Sequence, residues 1–180
     1  HIHLAPITNA AEFLQYSIKT GTTTIIVETM EVFPVGGYEG ILDYLESFGK
    51  QPIKVFGTVA AMVSISRTLN GMPLPILKKL LERDDVLGFG ESYWQSVLQN
   101  PDQFLPLYQE TLRHGKTIEG HSAGASGRKL MAYIAAGVSS CHEPITIEEV
   151  LERLRLGIYV MIREGGVRRD LEAISPLKDK

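Results

Sequence analysis

Four of the five histidines in this chain close strand-like runs. His1 and His3 stand at its start, His121 follows Lys116-Thr-Ile-Glu-Gly120, and His142 follows Gly137-Val-Ser-Ser-Cys141. Glu91 ends a similar run, Val86-Leu-Gly-Phe-Gly90. Imidazole and carboxylate on one rim of a parallel sheet are the donor set of a divalent metal centre. An ion held there lowers the pKa of a bound water far enough to supply hydroxide near neutral pH. Residues two apart on a strand face the same side, so His1 and His3 can grip one ion. Taken singly, each residue also has an ordinary reading. His-x-His arises by chance, Glu91 can open a surface loop, His121 can cap a helix, and His142 can sit in a loop. Their shared position at strand C-terminal ends carries the metal reading, because active sites of α/β barrels lie on that face.

The elements that must position these groups alternate. The residue pattern predicts helices over 10–20, 38–48, 75–83, 101–114, 126–136, 146–156 and 167–174. Between them it predicts strands over 22–28, 53–59, 86–91, 116–121, 138–142 and 158–163, with His1-Ile-His3 as the tail of another. Thr146 with Glu149 three residues on forms a capping box. Such alternation implies parallel strands joined by right-handed crossovers. A (β/α)8 TIM barrel and an open doubly wound sheet both meet that description. As a barrel, residues 1–180 are expected to be an incomplete one, lacking the body of the first strand and the eighth strand, in a protein longer at both ends.

Bulk properties agree with one compact domain, since 44% of the 180 residues are hydrophobic. A net charge of −3 with mixed signs and no basic stripe argues against a nucleic-acid partner. No apolar run approaches the roughly 20 residues that span a bilayer, and no leader pattern is visible, so neither a membrane partner nor secretion is expected. The single cysteine, Cys141, excludes an intramolecular disulfide and suits a reducing, cytoplasmic setting.

Several stretches together resemble the adenine deaminases of the amidohydrolase superfamily. They are His1-Ile-His3, Gly21-Thr-Thr-Thr24, Gly88-Phe-Gly-Glu91, Gly120-His-Ser-Ala-Gly-Ala-Ser-Gly127, Ala132-Tyr-Ile-Ala-Ala-Gly137 and Leu154-Arg-Leu-Gly-Ile-Tyr-Val-Met-Ile-Arg-Glu-Gly165. The resemblance implies a metal-dependent hydrolase on a (β/α)8 barrel, with a flanking β-sandwich that residues 1–180 do not include. It implies hydrolysis of adenine, or a related heterocycle, to the oxo product and ammonia. Two divalent ions, manganese or iron first and zinc as a further possibility, would serve it. By position, His1 and His3 would hold one ion, Glu91 would bridge, and His121 and His142 would hold the second. Glu31 would act near the substrate, and Tyr93 and Trp94 could stack on its ring, although packing over the rim explains that pair equally. The family's aspartate after the eighth strand has no match here. Homo-oligomers are common in the family.

The departures lie beside these positions. The family's glutamate and two serines after His-x-His are replaced by Leu4-Ala-Pro-Ile-Thr8. Its Asp-Pro-His-Glu reads Glu28-Thr-Met-Glu31. Cys141 stands for an aspartate, and Ala123 for a proline. Two other classes therefore stay open. Gly120-His-Ser122-Ala-Gly124 fits G-x-S-x-G, the elbow of a serine hydrolase. The barrel could also persist as a catalytically inactive binding protein.

Overall fold

A computed structural model describes residues 1–5, 9–61 and 71–179. It is an α/β fold of parallel strands alternating with helices, and it divides into two compact units. One unit is His1–Glu91 with Arg113–Lys116; the other is Ser92–Leu112 with Thr117–Lys180.

The first unit opens with α1, Ala10–Lys19, whose N-cap Asn9 accepts the Ala11 N–H. β1 (Thr24–Glu28) and β2 (Lys54–Val59) pair in parallel, from Thr24 opposite Lys54 to Glu28 opposite Thr58. β3 (Val86–Tyr93) joins β2 in parallel, with an irregularity at Gly57 and Thr58. The predicted strand tail at the start is present. Ile2 bridges Val27 in parallel, donating to Ile26 O at 2.8 Å and accepting from Glu28 N at 2.9 Å.

Two helices cover these strands. α2 runs over Phe33–Glu46, beginning five residues before the predicted start at Tyr38. The discrepancy is a kink at Gly37, whose φ of 60° and ψ of −148° interrupt the helix just where its periodic stretch begins. The earlier turn starts on Pro34, which suits a first helical turn. Leu45 of α2 packs on β2 so closely that a Cβ at Gly57 would stand 2.7 Å from its Cδ2. α3 (Leu74–Leu81) buries Leu77, Leu80 and Leu81, as its spacing predicts.

In the second unit, β4 (Thr117–His121), β5 (Ser140–Cys141) and β6 (Tyr159–Val160) run parallel, pairing Gly120 with Cys141 and Cys141 with Val160. α5 (Pro101–Arg113) precedes β4, and α6 (Gly127–Ala135) follows it. α7 (Ile147–Arg155) starts at the predicted capping box of Thr146 and Glu149. β6 is shorter than the predicted 158–163 because the chain leaves the ladder after Met161. Residues 163–170 close on themselves, with Glu164 bridging Arg169 and Asp170 N donating to Arg163 O at 3.0 Å. The final helix, α8 (Leu171–Ile174), consequently begins four residues later than predicted. Tyr93 and Trp94 are not in a loop. Tyr93 ends β3 and Trp94 opens a short helix, α4 (Trp94–Gln99), which Asn100 separates from α5.

Candidate metal-binding sites

In the first unit the Ile2–Val27 bridge brings His1 and His3 to the C-terminal end of β1, and β3 presents Glu91 to them. Glu91 Oε2 lies 3.1 Å from His1 Nε2 and 3.3 Å from His3 Nε2, and the two Nε2 atoms are 3.2 Å apart. His1 and Glu91 are almost fully buried, with side-chain exposures of 2% and 5%. These spacings are those of atoms sharing an ion. At bond lengths of about 2.0–2.1 Å, neighbouring ligand atoms stand about 3.3 Å apart around a tetrahedral ion and about 2.9 Å apart around an octahedral one. The donor set therefore fits a divalent metal ion.

Glu31 supports that cluster from behind. Its Oε1 lies 2.6 Å from His3 Nδ1, which orients the ring and leaves Nε2 for an ion. Without an ion, the Glu31 and Glu91 hydrogen bonds, opposed by burial, raise His3 to a pKa of about 9. Burial pushes the Glu31 carboxyl up, but the hydrogen bond and charge of His3 outweigh it and hold that group below the usual range. Glu31 Oε2 is buried outside any hydrogen bond.

Glu28 is a second carboxylate behind the cluster, and it is fully buried. It accepts from Thr29 N at 2.8 Å, Thr58 Oγ1 at 3.0 Å and the backbone N–H of Glu91 at 3.0 Å. That last bond fixes the strand where the Glu91 side chain departs. Only glycine fits at position 90, since a Cβ there would stand 2.1 Å from Glu28 Oε2.

In the second unit β4 delivers His121, and the turn after β5 delivers His142 and Glu143. Their ligand atoms lie within 4.8 Å of one another. Tyr133 on α6 accepts the His121 backbone N–H at 3.0 Å and donates to Ser92 O, while the Ser92 and Tyr108 hydroxyls bond each other. Gly120 makes room for this, because a Cβ would meet the Tyr133 hydroxyl at 2.7 Å. Glu143 Oε1 is 2.9 Å from His142 Nε2 and 3.4 Å from His121 Nδ1. Burial pushes the Glu143 carboxyl up, yet the two imidazoles and the Ser122 N–H hold it below the usual carboxylate range. The imidazole and carboxylate atoms here also suit a divalent ion.

Tyr93 packs edge-on against His121, with ring centres 4.3 Å apart. The half-buried Trp94 is tied to the segment after β4: its Nε1–H donates to Ala123 O at 2.8 Å, and Lys129 Nζ lies 5.5 Å from the ring centre. Of the stretch Leu4–Thr8, residues 6–8 lie outside the described ones.

Ser122 is not arranged as a nucleophile. Its hydroxyl is fully buried, donating to Glu143 Oε2 at 3.2 Å and accepting from Arg153 Nε at 3.1 Å. The strained turn of a nucleophile elbow is also missing, since no non-glycine residue among those described has positive φ. Cys141 is buried, and burial pushes its thiol up, away from the reactive thiolate.

The strand-end pattern singled out the histidines and Glu91 as candidates but passed over Glu28 and Glu143. A signal for Glu143 was its place directly after His142 and before Pro144. For Glu28 the signal was the pair of glycines before Glu91, which marks a close approach by something.

These features define a class: parallel α/β proteins with imidazole–carboxylate clusters at the C-terminal ends of their strands. Within it, the chain is similar along its whole length to adenine deaminases. It is 36% identical over 180 residues to the adenine deaminase of Cenarchaeum symbiosum, covering 98% of this chain and 30% of that protein. It is 36% identical over 185 residues to adenine deaminase 2 of Carboxydothermus hydrogenoformans, covering 100% and 32%. The adenine deaminase of Methanosarcina mazei is 33% identical over 186 residues, covering 100% and 33%. The chain thus spans about a third of the length of the curated relatives it matches. No family model matches the chain.

Proposed function

We propose that this chain is the metal-binding part of an amidohydrolase barrel that hydrolyses adenine to hypoxanthine and ammonia. The observation that carries the reading is the buried convergence of His1, His3 and Glu91 at ion-sharing distances, in a sequence similar throughout to adenine deaminases. His1, His3 and Glu91 hold one divalent ion in this reading, and His121 and His142 hold another; manganese or iron suits the donor set first, then zinc. Bound divalent ions supply hydroxide from water at neutral pH.

The remaining work falls to side chains. Glu31 has one oxygen fixed by His3 and the other buried outside any hydrogen bond, so Oε2 is the atom open to accept a proton in transit. Tyr93, packed on His121, and Trp94 border the strand end where a planar heterocycle would stack. The buried hydroxyl of Ser122 speaks against the serine hydrolase alternative.

The test is ammonia release from adenine and a panel of other heterocycles by the purified protein with added manganese. Adenine should be deaminated, a chelator should abolish the reaction, manganese should restore it, and a serine-directed phosphonate should leave it intact. Turnover that survives exhaustive chelation refutes the metal reading. Turnover of another ring with adenine inert refutes the substrate.

A further inference from the structure

We propose that Glu143 is itself a metal ligand, giving Oε1 to the ion that His121 and His142 hold, with Ser122 and Arg153 as the residues that position it. This rests on the metal reading above and adds a carboxylate to it.

The two oxygens of Glu143 have different surroundings. Oε2 is satisfied, accepting from Ser122 N at 2.6 Å and Ser122 Oγ at 3.2 Å. Oε1 is buried and takes part in no hydrogen bond, although the side chain is only 4% exposed. A buried carboxylate oxygen without a donor costs free energy and calls for an explanation. The ring nitrogens at 2.9 Å and 3.4 Å supply one. Those are the spacings of neighbouring ligands around one ion, about 2.9 Å for octahedral and about 3.3 Å for tetrahedral geometry.

The support behind Oε2 is unusually complete. Arg153 on α7 is buried, with 1% exposure. Its Nε donates to Ser122 Oγ, and its Nη2 donates to the carbonyls of Ser122 and Ala125, both at 3.0 Å. The Ser122 hydroxyl has one proton, and accepting from Arg153 directs that proton to Glu143. The guanidinium therefore orients the serine, the serine orients the carboxylate, and Oε1 is left facing the imidazoles. A fork of donors in fixed planar geometry does this where a lysine could not.

The test counts ions and reads their geometry in the purified protein loaded with cobalt. Wild type, Glu143→Gln, Ser122→Ala, His3→Ala and the double variant His3→Ala/Glu143→Gln are compared by elemental analysis, chelator competition and visible absorption. The amide of Glu143→Gln can still accept from Ser122, so the metal-free variant should fold, melting below wild type only by the loss of the charge that the imidazoles and the Ser122 N–H favour. It should bind one of the two ions at least about 100-fold more weakly, with a changed cobalt spectrum; a carboxylate that only orients a ligand costs 10–100-fold and leaves the spectrum unaltered. His3→Ala should keep one ion, and the double variant none. Ser122→Ala should weaken the same ion about tenfold, which keeps the question answerable if Glu143→Gln fails to fold. A folded Glu143→Gln with wild-type affinities and spectrum overturns this proposal alone, as does an unchanged affinity in Ser122→Ala. A wild-type protein that takes up no divalent ion overturns it together with the proposed function.

Discussion

Gly90→Ala isolates the support behind Glu91. The glycine has ordinary negative-φ backbone, because it is not among the positive-φ glycines, so alanine meets no conformational penalty there. All of the cost comes from the methyl group. It would stand 2.1 Å from Glu28 Oε2, 2.7 Å from Oε1 and 2.8 Å from Cδ. The carboxylate must retreat by about 1 Å to restore van der Waals contact. It cannot do so without leaving its donors, since Oε2 accepts from Thr58 Oγ1 and Glu91 N, both at 3.0 Å. A buried donor left without its partner costs about 1–3 kcal/mol, so releasing the Thr58 hydroxyl and the Glu91 N–H costs about 2–6 kcal/mol. Against a typical stability of about 5–15 kcal/mol, that is a large fraction.

Urea denaturation followed by circular dichroism measures this directly, with the midpoint falling and the m-value unchanged. For a chain of this size the melting temperature should drop by at least about 4 °C. A double-mutant cycle with Glu28→Asp separates the clash from a general loss of packing. Aspartate is one methylene shorter and withdraws the carboxylate from the new methyl, so the two substitutions together should cost less than their sum. Because Glu28 holds the Glu91 N–H, Gly90→Ala should also weaken binding of the ion proposed for His1, His3 and Glu91, measured by chelator competition. A Gly90→Ala protein within about 0.5 kcal/mol of wild type, the scatter expected of neutral substitutions, refutes the argument.

Other expected outcomes follow from the same geometry. Tyr133→Phe removes the acceptor of the part-buried His121 N–H and the donor to the buried Ser92 O, and should cost about 1–3 kcal/mol in urea unfolding. Thr146→Ala breaks the capping box of α7 and should cost about 1 kcal/mol by the same measurement. Added manganese should raise the melting temperature through mass action, by about 2.7 kcal/mol of stability at 100 times its dissociation constant, and chelation should reverse the gain. The two-pronged Arg83 hydrogen bond, opposed by burial, holds the Asp85 carboxyl below its usual range. A depressed carboxyl stabilises the fold above its unfolded pKa of about 3.9 and loses that contribution as pH falls through the lower folded value. The stability difference between wild type and Asp85→Asn should therefore stay level above about pH 5 and shrink below about pH 4.

The fold was legible where a local signal decided it. β-branched Thr24-Ile-Ile-Val27, the leucines of α3 and the Thr146–Glu149 box each carry their structure within a few residues, and each element stands where its pattern predicts. The misplacements come from longer-range causes. The kink at Gly37 depends on a first turn, begun by Pro34, that has no helical periodicity of its own. The shortened β6 and late α8 depend on the 163–170 segment folding back so that Arg163 donates to Asp170 at 3.1 Å. Hydrophobic spacing registers neither, because both are set by a backbone angle or a polar pair.

The candidate sites divide along the same line. Histidines at strand ends announce themselves, since few other roles place imidazole there repeatedly. The supporting carboxylates do not, because Glu28 and Glu143 look like any acidic residue until their partners from distant segments are known. Glu28 is defined by Thr58 and Glu91, 30 and 63 residues away, and Glu143 by Ser122, 21 residues away. Each of the two is fully or nearly buried, where an unpaired charge could not persist. The replaced positions follow this division. Met30 and Cys141 neighbour the clusters without supplying an oxygen or ring nitrogen to them, while Gly90, whose missing side chain admits Glu28, keeps the glycine that the approach demands. A substitution at Met30 should therefore leave the ion count unchanged, as elemental analysis would read it. A substitution at Gly90 should instead lower ion affinity, as chelator competition would read it.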